Sequence, residues 1–355
     1  MLALFFLACE SSTDLNLEYG TSDADDSTDA VEECTPLEGS YEFFDPAYKL
    51  GPLAFQMQPD NQTFQSTDTI HEMGMNTISL RFIMPIDSEG RLKYPYVRNH
   101  LYYASLEDQI CQMGNTIHAL KEEGFAIILS GEPHYHSKEE WMELHPDWDG
   151  NYSSIVLFET EEMIDNFIAE SDPLMQAIND MANRYKVEIL SPISETDRFF
   201  PPARSDEFMR DTLRNFETYE GQLLWQVYGD MLREPDMADS IHRIDFSDYD
   251  LLGLALIGCD GPLYEWDIYM DTLVEWGLED NVSEIFISEI GCVREPSSVD
   301  TAVSNFNYWY DKAASYSTGT IILDTPQGTE GNQGIADTWL EEWARAIAQE
   351  QGLLE

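Results

Sequence analysis

Positive charge is scarce in this chain. Of its 355 residues 18 are lysine or arginine against 68 aspartate or glutamate, a formal net charge of −50. Such a surface repels phosphate backbones and anionic headgroups, which excludes nucleic acid and acidic membrane surfaces as partners. It fits a protein working in salty surroundings, where screening limits self-repulsion. Long apolar runs are also missing: no stretch approaches the ~18 residues that a membrane-spanning helix needs. Cysteines number five, at spacings unlike those of a zinc site. A glycine-rich phosphate turn is absent after the first apolar strand, where Gln58-Pro59-Asp60 stands, and this argues against a doubly wound nucleotide-binding sheet.

What is present is a globular composition, 43% hydrophobic and 12% aromatic, in a chain long enough to bury a sizeable core. Residues 1–9 form a short apolar run ending at Cys9, with Glu10-Ser11-Ser12-Thr13-Asp14 following at once. The run resembles the end of a bacterial lipoprotein signal, with Cys9 as the lipidated residue. No basic region precedes it, and the natural start is expected further upstream. The implied location is exported, at the cell surface or in the periplasm. Residues 10–38 are rich in Ser, Thr, Asp and Glu and poor in apolar side chains, so they read as a disordered acidic spacer. An exported chain permits disulfides, and Cys34, Cys111, Cys259 and Cys292 allow three connectivities. Cys259 and Cys292 each fall just past an expected strand and are the favoured pair.

From residue 39 to 355 short apolar strands alternate with longer amphipathic segments. Strands are expected at residues 53–58, 76–82, 125–130, 187–193, 222–227, 249–256, 284–290 and 319–324. Between them, apolar residues recur every three or four positions, as at Ile110, Met113, Ile117 and Leu120. Helices are expected at 106–123, 163–185, 206–216, 266–276, 302–314 and 335–349. Eight strands, mostly written as continuous apolar runs and alternating with helices, predict a single-domain (β/α)8 barrel.

Two of these strands end on a carboxylate. Val187-Glu188-Ile189-Leu190-Ser191-Pro192-Ile193-Ser194-Glu195 closes the fourth, and Ile285-Phe286-Ile287-Ser288-Glu289-Ile290-Gly291 the seventh. A charge at the end of a buried strand is costly unless it is solvated or used. In a barrel all strand ends open onto one face, where active sites lie, and the fourth and seventh ends face each other across it. A pair of carboxylates placed so is the machinery of glycoside hydrolysis, and that reaction needs no cofactor.

These residues resemble the clan A retaining glycoside hydrolases, together with Arg81 near the end of the second strand in Asn76-Thr77-Ile78-Ser79-Leu80-Arg81-Phe82. Within the clan the chain looks most like the β-mannanase-type family 113. The supporting stretches are Gly74-Met75-Asn76-Thr77, Pro133-His134, Tyr219-Glu220-Gly221-Gln222-Leu223 and Phe246-Ser247-Asp248-Tyr249-Asp250-Leu251-Leu252-Gly253. The resemblance implies Glu195 as acid/base, Glu289 as nucleophile, Arg81 orienting Glu289, and His134 lining the sugar site. It also implies an oligo- or polysaccharide substrate, β-mannan first. The chain departs from the clan's pattern at Ser194, where Asn is usual before the acid. No tyrosine closes the sixth strand at Leu254-Ala255-Leu256-Ile257, and the eighth ends on Asp324-Thr325-Pro326 without an aromatic platform.

Each of these residues has a plainer reading beside the catalytic one. Glu195 could pair with Arg198, and Glu289 with Arg81, as structural ions. Trp225 on the fifth strand serves either as a sugar platform or as core, and Asp324 is placed to meet sugar hydroxyls. The departures motivate an alternative, a carbohydrate-binding barrel without catalysis. His134 and His136 motivate a third reading, a metal-dependent barrel hydrolase, although only His145 and His242 follow them and the pair sits after the third strand rather than the first.

Overall fold

The computed structural model describes residues 34–46, 48–55, 67–98, 101–144, 160–228, 244–257, 263–292, 298–315, 321–323 and 338–355, with Val156, Phe158, Pro296 and Ile335 between them. Eight parallel strands close into a barrel: β1 (Leu50–Phe55), β2 (Thr77–Ile86), β3 (Ala126–Tyr135), β4 (Ile189–Ser191), β5 (Gln222–Tyr228), β6 (Leu251–Ile257), β7 (Glu284–Gly291) and β8 (Ile321–Leu323). Pairing of Leu50 with Ile321 joins the last strand to the first. All ten residues of β2 and all ten of β3 are buried. Burial on both faces, against the helices outside and the packed interior, is what a closed parallel barrel imposes.

Alternation along each strand sorts the core into two layers. Leu53, Ile128, Ile189, Leu224, Leu251, Phe286 and Ile322 meet inside the barrel as one cluster. Their neighbours, among them Ile127, Leu190, Trp225, Leu252 and Ile287, face outward against the helices. Above the apolar plug the inward positions turn polar: Ser79 and Arg81 on β2, Ser130, Glu132 and His134 on β3, Gln226 on β5 and Ser288 on β7, all buried. This change of chemistry along the barrel axis marks the end at which the site lies.

Strict alternation from Phe286 would turn Glu289 outward. A bulge prevents this. Leu254 of β6 pairs with Ile287 and the next residue, Ala255, with Glu289, so Ser288 is the extra residue. Bulges re-aim side chains next to sites, and this one resets the phase of β7 so that Glu289 shares the inward face of Ala255. Gly253 accommodates it: a Cβ there would lie 2.6 Å from the Cβ of Ser288.

The helices largely follow the sequence pattern, with Leu106–Glu122 started by Ser105, whose Oγ accepts from the amide of Asp108 at 3.3 Å. One helix expected over 163–185 is instead two, Glu161–Glu170 and Asp172–Tyr185. Pro173 has no N–H to give to the first helix and suits the opening turn of a second.

Residues 34–38, assigned by composition to the spacer, run along the barrel wall and are fastened to it. Cys34 is disulfide-bonded to Cys111 across 77 positions. Leu37 donates its amide to Asn115 Oδ1 at 2.7 Å and accepts at its carbonyl from the Tyr185 hydroxyl at 3.0 Å. Further on, the amide of Phe44 donates to Glu188 Oε1 at 2.6 Å, while Glu188 Oε2 accepts from the amide of Ile127 at 2.6 Å and Lys121 ion-pairs with the same carboxylate. Composition could not show this attachment, because it comes from a covalent bond and buried polar partners rather than from apolar content. The Cys34–Cys111 bond is the connectivity that leaves Cys259 for Cys292. Cys292 is itself disulfide-bonded, and Cys259 lies outside the described residues, as does Cys9.

Closing a loop of this length restricts the unfolded chain, and native disulfides of that kind contribute about 2–4 kcal/mol. Replacement of Cys34 and Cys111 by serine is expected to lower unfolding free energy in urea by about that amount, with the far-ultraviolet circular dichroism of the folded barrel unchanged. A midpoint equal to that of the unmodified protein would show the strap to be energetically idle.

Candidate active site

The site is built at the polar end of the barrel from four strand ends. Arg81, 2% exposed, projects inward from β2, and its Nη2 donates to Glu289 Oε2 at 2.8 Å. The guanidinium Nε lies 3.9 Å from Glu132 Oε2 on β3. Glu132 Oε1 in turn lies 3.3 Å from His134 Nε2. An arginine this deeply buried is tolerated only with acidic partners, since an unpaired charge away from water is costly. Sequence reading brought Arg81 and Glu289 together correctly. It missed Glu132 by ending the third strand at Ser130; the period-two series Ser130, Glu132, His134 was the signal that β3 continued with its polar face inward.

Glu195 follows β4 by four residues and caps a single helical turn, Thr196–Phe199. Its backbone is left-handed, φ 50° and ψ 50°, a conformation costing of order 1–3 kcal/mol in a residue with a Cβ and concentrated at functional positions. The turn is held where it is by the amide of Ser194, which donates to the carbonyl of Gly131 at 2.7 Å. Only glycine allows that approach, because a Cβ at 131 would sit 2.3 Å from the carbonyl oxygen of Pro192. Ser194 is thus placed beside Glu195, with its own side chain buried.

Arg198 does pair with Glu195, Nη1 to Oε2 at 3.1 Å. The carboxylate is not at the surface, however: it is 5% exposed. Burial pushes the Glu195 carboxyl up, and the charge of Glu132 adds to that, while Arg198 and Arg81 oppose it. For Glu132 burial also acts upward, but the hydrogen bond and charge of His134, with Arg81 and Arg198, outweigh it and bring it down to about 2. Asp197 beside them is pushed up to about 8 by burial and by Glu195, although its Oδ1 accepts from the amide of Tyr228 at 3.0 Å. Burial and a neighbouring like charge thus favour the proton on Glu195, while Glu132 beside it is held charged.

A hairpin, Tyr96–Arg98 with Leu101–Tyr103, covers the β3 side of this cluster. Tyr96 packs edge-on to His134 with ring centroids 6.4 Å apart and stacks on Tyr103 at 5.8 Å. The amide of Val97 donates to the carbonyl of His136 at 3.1 Å.

Trp225 is corrected. It is wholly buried on the outward face of β5, edge-on to Phe246 and Tyr249 at 5.0 and 5.2 Å. Alternation gives the inward positions to Leu224 and Gln226, so its ring belongs to the packing between barrel and helices and offers no platform to a sugar. Asp324 lies outside the described residues, as does His242. His136 ion-pairs with Glu140 rather than converging with His134. Among the described residues no group of three His, Cys, Asp or Glu side chains is placed to hold a metal ion.

No protein-family model matches the sequence, and no curated protein is significantly similar to it. Solved structures do share its shape. A GH113 β-1,4-mannanase superposes with a TM-score of 0.57 at 13% identity over 85% of this chain and 98% of its own. The GH113 β-mannanase of Alicyclobacillus acidocaldarius does so with a TM-score of 0.54 at 14% identity, over 86% and 97%. The endo-1,4-β-mannanase of Thermotoga petrophila gives 0.55 at 9% identity, over 85% and 99%. At these identities the likeness is one of fold: the chain is a (β/α)8 barrel of the shape that clan A glycoside hydrolases also have.

Proposed function

We propose that the protein is a retaining glycoside hydrolase acting on a β-linked glycan, with β-1,4-mannan the leading substrate. The observation that carries the reading is the buried ion pair between Arg81 and Glu289 at 2.8 Å, set into the same cluster as a buried Glu195 whose carboxyl is pushed up. In the first step Glu289, kept oriented by Arg81, attacks the anomeric carbon while Glu195 gives its proton to the departing glycosidic oxygen. In the second Glu195, now ionised, takes a proton from water, and the water oxygen replaces Glu289 on the sugar. The mannan preference leans on structural neighbours that are β-mannanases, GH113 β-1,4-mannanase among them, and on the family 113 resemblance of the sequence.

We further propose export with a lipid tether at Cys9. Disulfides at Cys34–Cys111 and at Cys292 support an oxidising compartment.

Reducing-end release from β-mannan, glucomannan, xylan and β-glucan, using the chain from Cys34 onward, tests the activity. Wild-type turnover of at least one glycan is expected. Glu289→Gln is expected to abolish it, and Glu195→Gln to lower kcat by about 10²–10⁴-fold on substrates with a poor leaving group. The product should first appear in the configuration of the substrate when followed by proton NMR. Binding to a glycan with no turnover by any form would replace the hydrolase with a binding barrel.

The pH dependence has a defined sign. Arg198 favours the ionised form of Glu195, so removing its charge raises the pKa of the acid. Arg198→Gln is expected to move the alkaline limb of kcat/KM to higher pH, and a limb that stays put or moves down would separate Glu195 from the acid role.

A further inference from the structure

The reaction uses Glu195 and Glu289, yet a third carboxylate, Glu132, is built into the same cluster. We propose that Glu132 is a positioning residue of the active site, which shares Arg81 with Glu289 and sets its charge beside Glu195 so that the acid keeps its proton. This rests on the glycosidase reading and extends it to a residue that neither the two-carboxylate mechanism nor the strand-end pattern requires.

Three geometric observations carry it. Glu132 is 5% exposed and directed inward from β3, one strand from Arg81 and one from the turn that bears Glu195. Its two oxygens are engaged by different side chains: Oε2 faces Arg81 Nε at 3.9 Å and Oε1 faces His134 Nε2 at 3.3 Å. The hydrogen bond from Ser194 to the carbonyl of Gly131 at 2.7 Å clamps the backbone just before Glu195 to the backbone just before Glu132. The carboxylate is therefore held beside the guanidinium that also holds Glu289, and the backbone that carries it is tied to the turn that bears Glu195.

The charged groups around it decide the direction of its effect. Arg81 from β2 and His134 from β3 stabilise its ionised form, with Arg198 from the turn after β4 further off. Glu289 from β7 is already paired with Arg81. Asp197, pushed up to about 8, is mostly neutral at pH 7 and adds little repulsion there. Glu132, held down to about 2, is charged over the whole working range. Of Glu132 and Asp197, the two acids whose electrostatics couple to Glu195, it is thus the one that acts as a constant negative charge, and like charges favour retention of a proton on the weaker acid. His134, covered by Tyr96, serves here to anchor Glu132.

The test reads Glu195 directly, without turnover. Protein labelled with ¹³C at the glutamate side-chain carboxyls is titrated by NMR, with the Glu195 resonance assigned by its absence in Glu195→Gln. In Glu132→Gln, which keeps size and loses charge, the Glu195 midpoint is expected to fall by about one pH unit or more. The alkaline limb of kcat/KM is expected to move down with it, opposite to the Arg198→Gln shift. A Glu195 midpoint unchanged in a folded Glu132→Gln protein overturns the proposal, whatever happens to the rate. Should that variant not fold, Glu132→Asp carries the test by withdrawing the charge one methylene, and a midpoint equal to wild type there overturns it. A protein that hydrolyses no glycan but shows the midpoint shift would refute the hydrolase reading while leaving the coupling of Glu132 to Glu195 in place.

Discussion

The architecture of the site depends on one buried cation. Arg81 sits inside a closed barrel at 2% exposure, where a guanidinium without partners could not be kept. Removing one member of a buried ion pair typically costs about 3–5 kcal/mol, because the other is left uncompensated. The inward chemistry above the apolar plug answers that requirement: Glu289 from β7 and Glu132 from β3 converge on the arginine from different strands. The same pairing that makes the cation tolerable orients the Glu289 carboxylate. Stability of the barrel mouth and the placement of Glu289 are two consequences of a single interaction.

Two local irregularities are needed to bring the carboxylates to that arginine. The bulge at Ser288 turns Glu289 inward, and the left-handed backbone at Glu195 turns the chain sharply after β4. Both are departures from regular geometry, and both lie at the polar end of the barrel. Gly253 and Gly131 supply the space, each next to the irregularity it serves. At the other end the polar groups are satisfied in a more ordinary way. Glu188 accepts from two backbone amides and pairs with Lys121. It is as buried as Glu195, but its donors are all spoken for by the strap and the barrel wall. Burial alone does not distinguish a working carboxylate from a structural one; the partners do.

The electrostatic contrast within the cluster follows from the same accounting of partners. Glu132 lies between Arg81 and His134 and is held low, whereas Glu195 has one arginine at 3.1 Å and an anionic neighbour and is pushed up. The very acidic surface takes no part in this, since a charge of −50 is spread over solvated faces and screened by salt. What shifts the Glu195 carboxyl is a handful of groups within the barrel mouth, where screening by water is weak.

The sequence by itself determined the fold class, because a parallel barrel buried on both faces must be written as eight apolar runs separated by amphipathic helices. It also determined which strands end in Glu195 and Glu289, and that Arg81 lies on the second. It did not decide which way those side chains point. Side-chain direction in a strand has a period of two, and a single inserted residue reverses it, so Glu289 faces inward through a bulge that no pattern of apolar residues reveals. The same alternation moved Trp225 out of the mouth and into the helix layer, and brought Glu132 in. The strap from Cys34 was hidden for another reason: its attachment is a disulfide and a few buried hydrogen bonds, made between residues far apart in the chain. Periodicity reports which residues are buried, and only the closed barrel decides what each of them is buried against.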